Sequence, residues 1–194
     1  MIEKFLKYFD VVYFVRFLLL FLGLYYCHII FNGVVSKEGN YYSPFLDDHL
    51  NYLRWLTFSI LRMAGLILQG FGIDSSIEGS QVLKSASGLG INLWLPCLGL
   101  GITSFWMAFI VSQKTSLTKK FTWCAGGIAA IWFVNCWRIA LLLISLDFEW
   151  EKSQFIDHHG IFNIVAYGLV VALILMFNRK SKLKKQTNRE FKNA

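Results

Sequence analysis

The sequence predicts an all-α protein, a polytopic transmembrane bundle of about five apolar helices, and three observations carry that expectation. Hydrophobic residues fill 56% of its 194 positions against 16% charged, and the mean hydropathy is +0.50. A chain this short has too little interior to hide so much apolar surface. The apolar residues also gather into stretches of helix length, separated by loops that differ sharply in charge.

The five stretches run from about Val11 to Phe31, Tyr52 to Phe71, Leu98 to Val111, Phe121 to Leu146 and Ile161 to Phe177. The first, fourth and fifth are long enough to cross a hydrocarbon core. The third reaches crossing length only with Ile91–Leu95 added, and Pro96 then falls near a first turn, where proline is tolerated. Within the second, Arg54 and Arg62 share one face, which suits a helix lying in an interface or re-entering as well as one that crosses. The expected bundle therefore has five crossings or four. Nothing before Tyr8 resembles a cleavable leader with a small-residue cleavage site, so the first stretch is read as a retained anchor.

Direction follows from the loops. Lys114, Lys119 and Lys120 occupy a loop without acids, whereas Asp147, Glu149, Glu151 and Asp157 share theirs with Lys152 alone. Beyond the fifth stretch, seven basic residues against Glu190 give the tail a net charge of +6. The positive-inside rule puts the lysine loop and the tail in the cytoplasm and the acidic loop outside. Residues 1–177 then form an integral membrane helical domain in contact with membrane lipids, and 178–194 a basic cytoplasmic tail. Five crossings leave the N-terminus outside, although Lys4, Lys7 and Arg16 favour the inside, which four crossings would give. No nucleic-acid motif accompanies the basic tail, and nucleic acid is not an expected partner.

Three polar groups stand out because such groups are costly in an apolar phase. Cys97 opens the third stretch in Leu95-Pro96-Cys97-Leu98-Gly99, where a helix start favours the thiolate and Gly99 lets a substrate or backbone come close. Arg138 lies about 17 residues into the fourth stretch, roughly 25 Å along the helix. Asn135, three residues earlier, shares its face. A buried guanidinium fork suits a carboxylate or an oxyanion. Asp157-His158-His159 precedes the fifth stretch, where either imidazole is a candidate base and Asp157 a group to orient it. Adjacent histidines point in different directions on a helix and no Cys or acid has a metal-type spacing with them, so neither metal nor cofactor is expected. Cys27, Cys124 and Cys136 read as small core residues.

Cys97-Leu98-Gly99, Asn135-Cys136-Trp137-Arg138-Ile139 and the histidine pair resemble, in order and spacing, the motifs of the exosortase and archaeosortase family of membrane transpeptidases. The resemblance spans about residues 88 to 170. It departs from the family at Leu98, where a serine is common, and in the residues after the histidines. The aromatic register favours His159 and the preceding acid favours His158.

The resemblance implies a cysteine peptidase or transpeptidase of the bacterial cytoplasmic (inner) membrane, with its site on the extracytoplasmic side. Its partners would be secreted precursors ending in a recognition motif, an apolar helix and a basic tail. Cys97 would attack the peptide carbonyl, His159, chosen over His158, would move the proton, and Arg138 would stabilise the oxyanion. Two other classes compete. A small helical transporter or channel component needs a polar path, for which Thr103, Ser104 and Asn163 are weak candidates. A non-catalytic membrane scaffold needs no site at all.

Overall fold

The computed structural model describes residues 10–147, apart from 38 and 40, and 164–179, apart from 166. Helix α1 (Val11–Val35) starts behind Asp10, whose carboxylate accepts from the Tyr13 N–H at 3.0 Å and satisfies one of the orphan donors of the first turn. A short helix α2 (Pro44–Leu50) leads into α3 (Tyr52–Gly70) through Asn51, whose side chain caps α3 by accepting from the Arg54 N–H at 2.9 Å. The buried positions of α3, namely Leu53, Thr57, Ile60, Leu61, Ala64 and Leu68, recur at three- and four-residue steps and form one stripe.

Three short antiparallel strands follow: β1 (Ser75–Glu78), β2 (Val82–Ser85) and β3 (Gly90–Asn92), in that spatial order. Gly79, at φ 61°, supplies the left-handed residue of the β1–β2 turn. Leu83 lies opposite both Ile77 and Ile91, and Leu83 and Ile91 are buried under α3 and the end of α5. A 3-10 turn (Leu95–Leu98) then leads to α4 (Leu100–Ser112), the long α5 (Leu117–Asp147) and α6 (Tyr167–Arg179).

Two cores result. The larger joins the α3 stripe, the sheet and Cys136, Ile139, Ala140, Leu143 and Ile144 of α5. The smaller gathers Trp106 and Ile110 of α4, Ile131 of α5 and Phe177 of α6. Helix α1 lies along α4, with the Phe17 and Phe21 rings set edge-on to Phe105 at 5.2 and 6.0 Å. The sheet is fastened to the far end of α5 by Ser85 and Ser87, whose hydroxyls donate to the Asp147 carboxylate at 2.6 and 2.7 Å.

This architecture corrects the expected all-α polytopic bundle. The described residues hold an antiparallel sheet packed on helices, and two of those helices, α1 and α5, are long and apolar enough to cross a membrane. Both pass by length and composition alone, a test that a core helix and an N-terminal signal sequence also pass. The most apolar window of α5 is 44% buried within the protein, as in a core helix, and α1 lies near the N-terminus.

The second expected stretch is an amphipathic helix that buries its stripe against the sheet and α5 and turns Arg54 and Arg62 outward. The third falls short because Gly90–Asn92 is strand and residues 95–98 a 3-10 turn, which leaves α4 only 13 residues. With two such helices among the described residues in place of about five, the multi-pass inner-membrane placement falls, and with it the description as a transmembrane protease. The basic tail, from residue 180 on, and the acidic loop beyond Asp147 lie outside the described residues.

Candidate functional site

The segment around Cys97 is fixed by its own backbone. The Cys97 N–H donates to the Trp94 carbonyl at 2.8 Å, closing the 3-10 turn that begins at Leu95 and Pro96. Gly99 ends that turn at φ 72° and ψ 19°, a left-handed conformation that a side chain at this position would strain. Helix α4 starts at the next residue, and its first main-chain bond runs from the Thr103 N–H to the Gly99 carbonyl at 3.0 Å. Cys97 therefore stands three residues ahead of the helix rather than on its first turn.

Asn135 ties this segment to α5. Its side-chain amide donates to the Cys97 carbonyl at 2.7 Å, across 38 residues of sequence, and Asn135 is itself buried. Such a bond carries more consequence when broken than its net worth suggests, because the buried Asn135 amide would be left unpaired. Three residues on, Arg138 lines the same cavity as Asn135, Gly99 and Pro96. The cavity holds about 450 Å³ between α1, the 3-10 turn, α4 and α5, with Tyr167 of α6 at its wall. Mostly apolar walls with a few converging polar groups are what a site for an organic ligand requires. The structure thus brings Cys97, Gly99, Asn135 and Arg138 together from two elements. The Cys97 side chain is half-buried and packs against the larger core, while its neighbours Pro96 and Gly99 face the cavity.

Asp157, His158 and His159 lie outside the described residues. The histidine that does line the cavity is His28 of α1. Its Nδ1 shares a 2.6 Å hydrogen bond with the Tyr52 hydroxyl, and its Nε2 is buried with no hydrogen-bond partner among the described residues. Burial, and after it the nearby Cys27, push the Tyr52 phenol above its ordinary value, so Tyr52 is a neutral hydroxyl at pH 7. The sequence signal for His28 was the one that marks Arg138, an ionisable side chain inside an apolar stretch. That signal is weaker at His28, which belongs to no motif.

A second polar cluster lies at the α2–α3 elbow. Asp47 is buried and accepts from Tyr42 Oη at 3.0 Å and Asn51 Nδ2 at 2.8 Å, with the Arg54 guanidinium as its ion-pair partner. The Asn51 hydrogen bond foremost, then Tyr42 and Arg54, hold the Asp47 carboxyl below the usual carboxylate range against the opposing effect of burial. This network is internally satisfied and braces the elbow. Among the described residues, no three or more His, Cys, Asp or Glu side chains converge as a metal would need. Of the remaining cysteines, Cys136 is buried and Cys124 half-buried, whereas Cys27 is exposed rather than in the core. Compared with protein-family models, with curated proteins and with solved structures, the chain matches none.

Proposed function

We propose that the chain is a thiol-dependent acyl-transfer enzyme, a peptidase or transpeptidase built on cysteine and Asn-x-x-Arg elements that resemble those of exosortases. Its substrates are protein precursors that end in a recognition segment, an apolar helix and a basic tail. The observation that carries this reading is the bond from Asn135 to the Cys97 carbonyl, because it joins the cysteine element and the Asn-x-x-Arg element at one cavity.

In this reading the Cys97 sulfur attacks the scissile carbonyl carbon, the C–N bond breaks, and the leaving amine takes the thiol proton. Arg138 holds the oxygen that becomes negative in the tetrahedral intermediate. Asn135 and Gly99 fix the cysteine segment, and the apolar wall accepts the substrate's tail. The thioester on Cys97 is then resolved by an amine, which gives transfer, or by water, which gives cleavage. A non-catalytic scaffold is the rival, favoured by the packing of the Cys97 side chain against the larger core.

The test is the processing of a tailed reporter protein, read by intact mass in cells expressing wild type, Cys97→Ala, Cys97→Ser or Arg138→Ala at matched levels. Wild type should trim the reporter, both Cys97 variants should leave it whole, and Arg138→Ala should slow trimming by about 10²–10³-fold. Trimming that persists in Cys97→Ala would sink the catalytic reading and leave the scaffold.

A further inference from the structure

We propose that a second, polar cavity at the α2–α3 elbow binds a small organic acid, a monocarboxylate that also carries hydroxyl or amide groups. It shares Leu95 of the 3-10 turn with the cavity of Asn135 and Arg138 but none of its polar residues, and the proposal does not rest on the acyl-transfer reading. The cavity holds about 490 Å³, inside the roughly 300–1,000 Å³ range of pockets that take organic ligands. Its floor is apolar, because Val35, Leu53, Leu93 and Leu98 line it and each is buried. Its polar side chains come from three separate elements. Asn32 lies in the last turn of α1, with Ser36 and Lys37 just beyond it. Arg54 stands in the first turn of α3, and Ser80 and Gln81 belong to the β1–β2 turn.

The inference turns on what these groups leave undone. At the elbow the Asp47 carboxylate is fully engaged, accepting from Tyr42 and Asn51 and pairing with Arg54. Around the same cavity, the side chains of Asn32, Ser36, Lys37, Ser80 and Gln81 enter no hydrogen bond or ion pair among the described residues. One such side chain is ordinary at a surface. Five of them around one concavity with an apolar floor are the convergent polar groups of a ligand site.

Charge selects the ligand. The charged residues of the lining are Lys37, Arg54 and Asp47, and the last two balance each other. Lys37 is then the unmatched charge among the described residues, so one negative charge suits the site better than two. Asp47 is no site for a cation, since three donors already occupy its oxygens. The Arg54 fork gives Nη2 to Asp47, and a guanidinium carries five donors in one plane. With the side chain 44% exposed, the fork keeps an edge for a carboxylate oxygen. The Asn32 and Gln81 amides and the Ser36 and Ser80 hydroxyls both donate and accept, which matches hydroxyl or amide groups on the rest of the ligand. A bare inorganic anion would leave those groups and most of the volume unused.

The experiment titrates the full chain with gluconate and N-acetylglutamine, two acids of this kind, and with sorbitol and inorganic phosphate for comparison. Thermal melting reads the affinity, and the side-chain amide NMR signals of Asn32 and Gln81 read the place. At least one acid should raise the melting temperature saturably and shift both amide signals, with sorbitol and phosphate weaker by about tenfold or more. Lys37→Gln and Gln81→Ala, both at exposed positions, should melt like wild type without ligand. Lys37→Gln should bind the acid about tenfold more weakly and Gln81→Ala a few-fold more weakly. If Lys37→Gln melts lower, Gln81→Ala carries the same comparison. Saturable binding by neither acid, equal binding of sorbitol or phosphate, or wild-type affinity in the folded variants would overturn the proposal.

Discussion

Helices α1 and α5 are alike in length and hydropathy, and either satisfies the dimensions of a membrane crossing, yet the fold uses them in opposite ways. Within α1 the buried residue is Val35, at its last turn, and Val12, Leu19 and Ile30 stand two-thirds or more exposed. Within α5 nine residues are buried, among them Asn135 and Ser145. The difference lies in how small and polar residues are spaced among the apolar ones. Helix α5 presents Gly127, Ile131, Asn135, Cys136 and Ile139 along a line at helical spacing, a stripe that other elements can fit. In α1 bulky side chains stand on every side, and its main intramolecular partner is α4. Mean hydropathy is blind to this distinction.

The largest expected effect separates the two helices directly. Leu143→Ala, at a fully buried site on α5, should cost about 2–5 kcal/mol, and Leu19→Ala, 66% exposed on α1, no more than about 0.5 kcal/mol. Denaturant unfolding of both variants measures this, and equal costs would break the comparison. A smaller effect distinguishes neighbours within α5. A methyl group at Gly127 would overlap the Trp106 indole, which cannot easily yield because its Nε1 donates to the Trp123 carbonyl at 3.0 Å. Gly127→Ala should destabilise by about 1–3 kcal/mol.

At Gly126 and at Gly23 of α1 nothing lies within 4 Å of the added methyl, and alanine there should stabilise by about 0.5–1 kcal/mol. One substitution at three sites then gives two signs, read from thermal melts.

The smallest effect tests whether the polar elbow behaves differently from both helices. The folded-state pKa of Asp47 is depressed, so its stabilisation is present above the unfolded carboxyl value and is lost as pH falls through the folded one. Asp47→Asn should flatten the acid limb of the stability profile, whereas Leu143→Ala should lower the whole curve without reshaping it.

Much of the helical framework was legible in the sequence. The starts of α1 and α3 fall on Val11 and Tyr52, and α4 ends one residue beyond Val111, because apolar runs end where charge, glycine or a cap begins. The sheet was not legible. Its strands have three or four residues, and buried Leu83 and Ile91 are too few to establish an alternating pattern against the serines and glycines around them. Taking Ile91 into a helix was the direct cause of the overlong third stretch. At the candidate site, Asn135 and Arg138 announced a shared face through their three-residue spacing. That this face meets the Cys97 carbonyl is a tertiary fact that spacing could not supply. His28 is hard to single out because it belongs to no motif, and only its apolar surroundings make it unusual.

The pair of serine hydroxyls on Asp147 has a consequence for the order in which the chain assembles. The strands pair with near neighbours and close small loops, whereas the bonds from Ser85 and Ser87 to Asp147 reach across about 60 residues that include all of α4 and α5. Contacts of such separation carry a larger loop-closure entropy and tend to form late. The hairpins are thus free to form early and dissolve again until the last turn of α5 arrives to latch them. Once latched, β2 and the end of α5 should open together, and amide hydrogen exchange would read this as one cooperative unit made of two elements far apart in sequence.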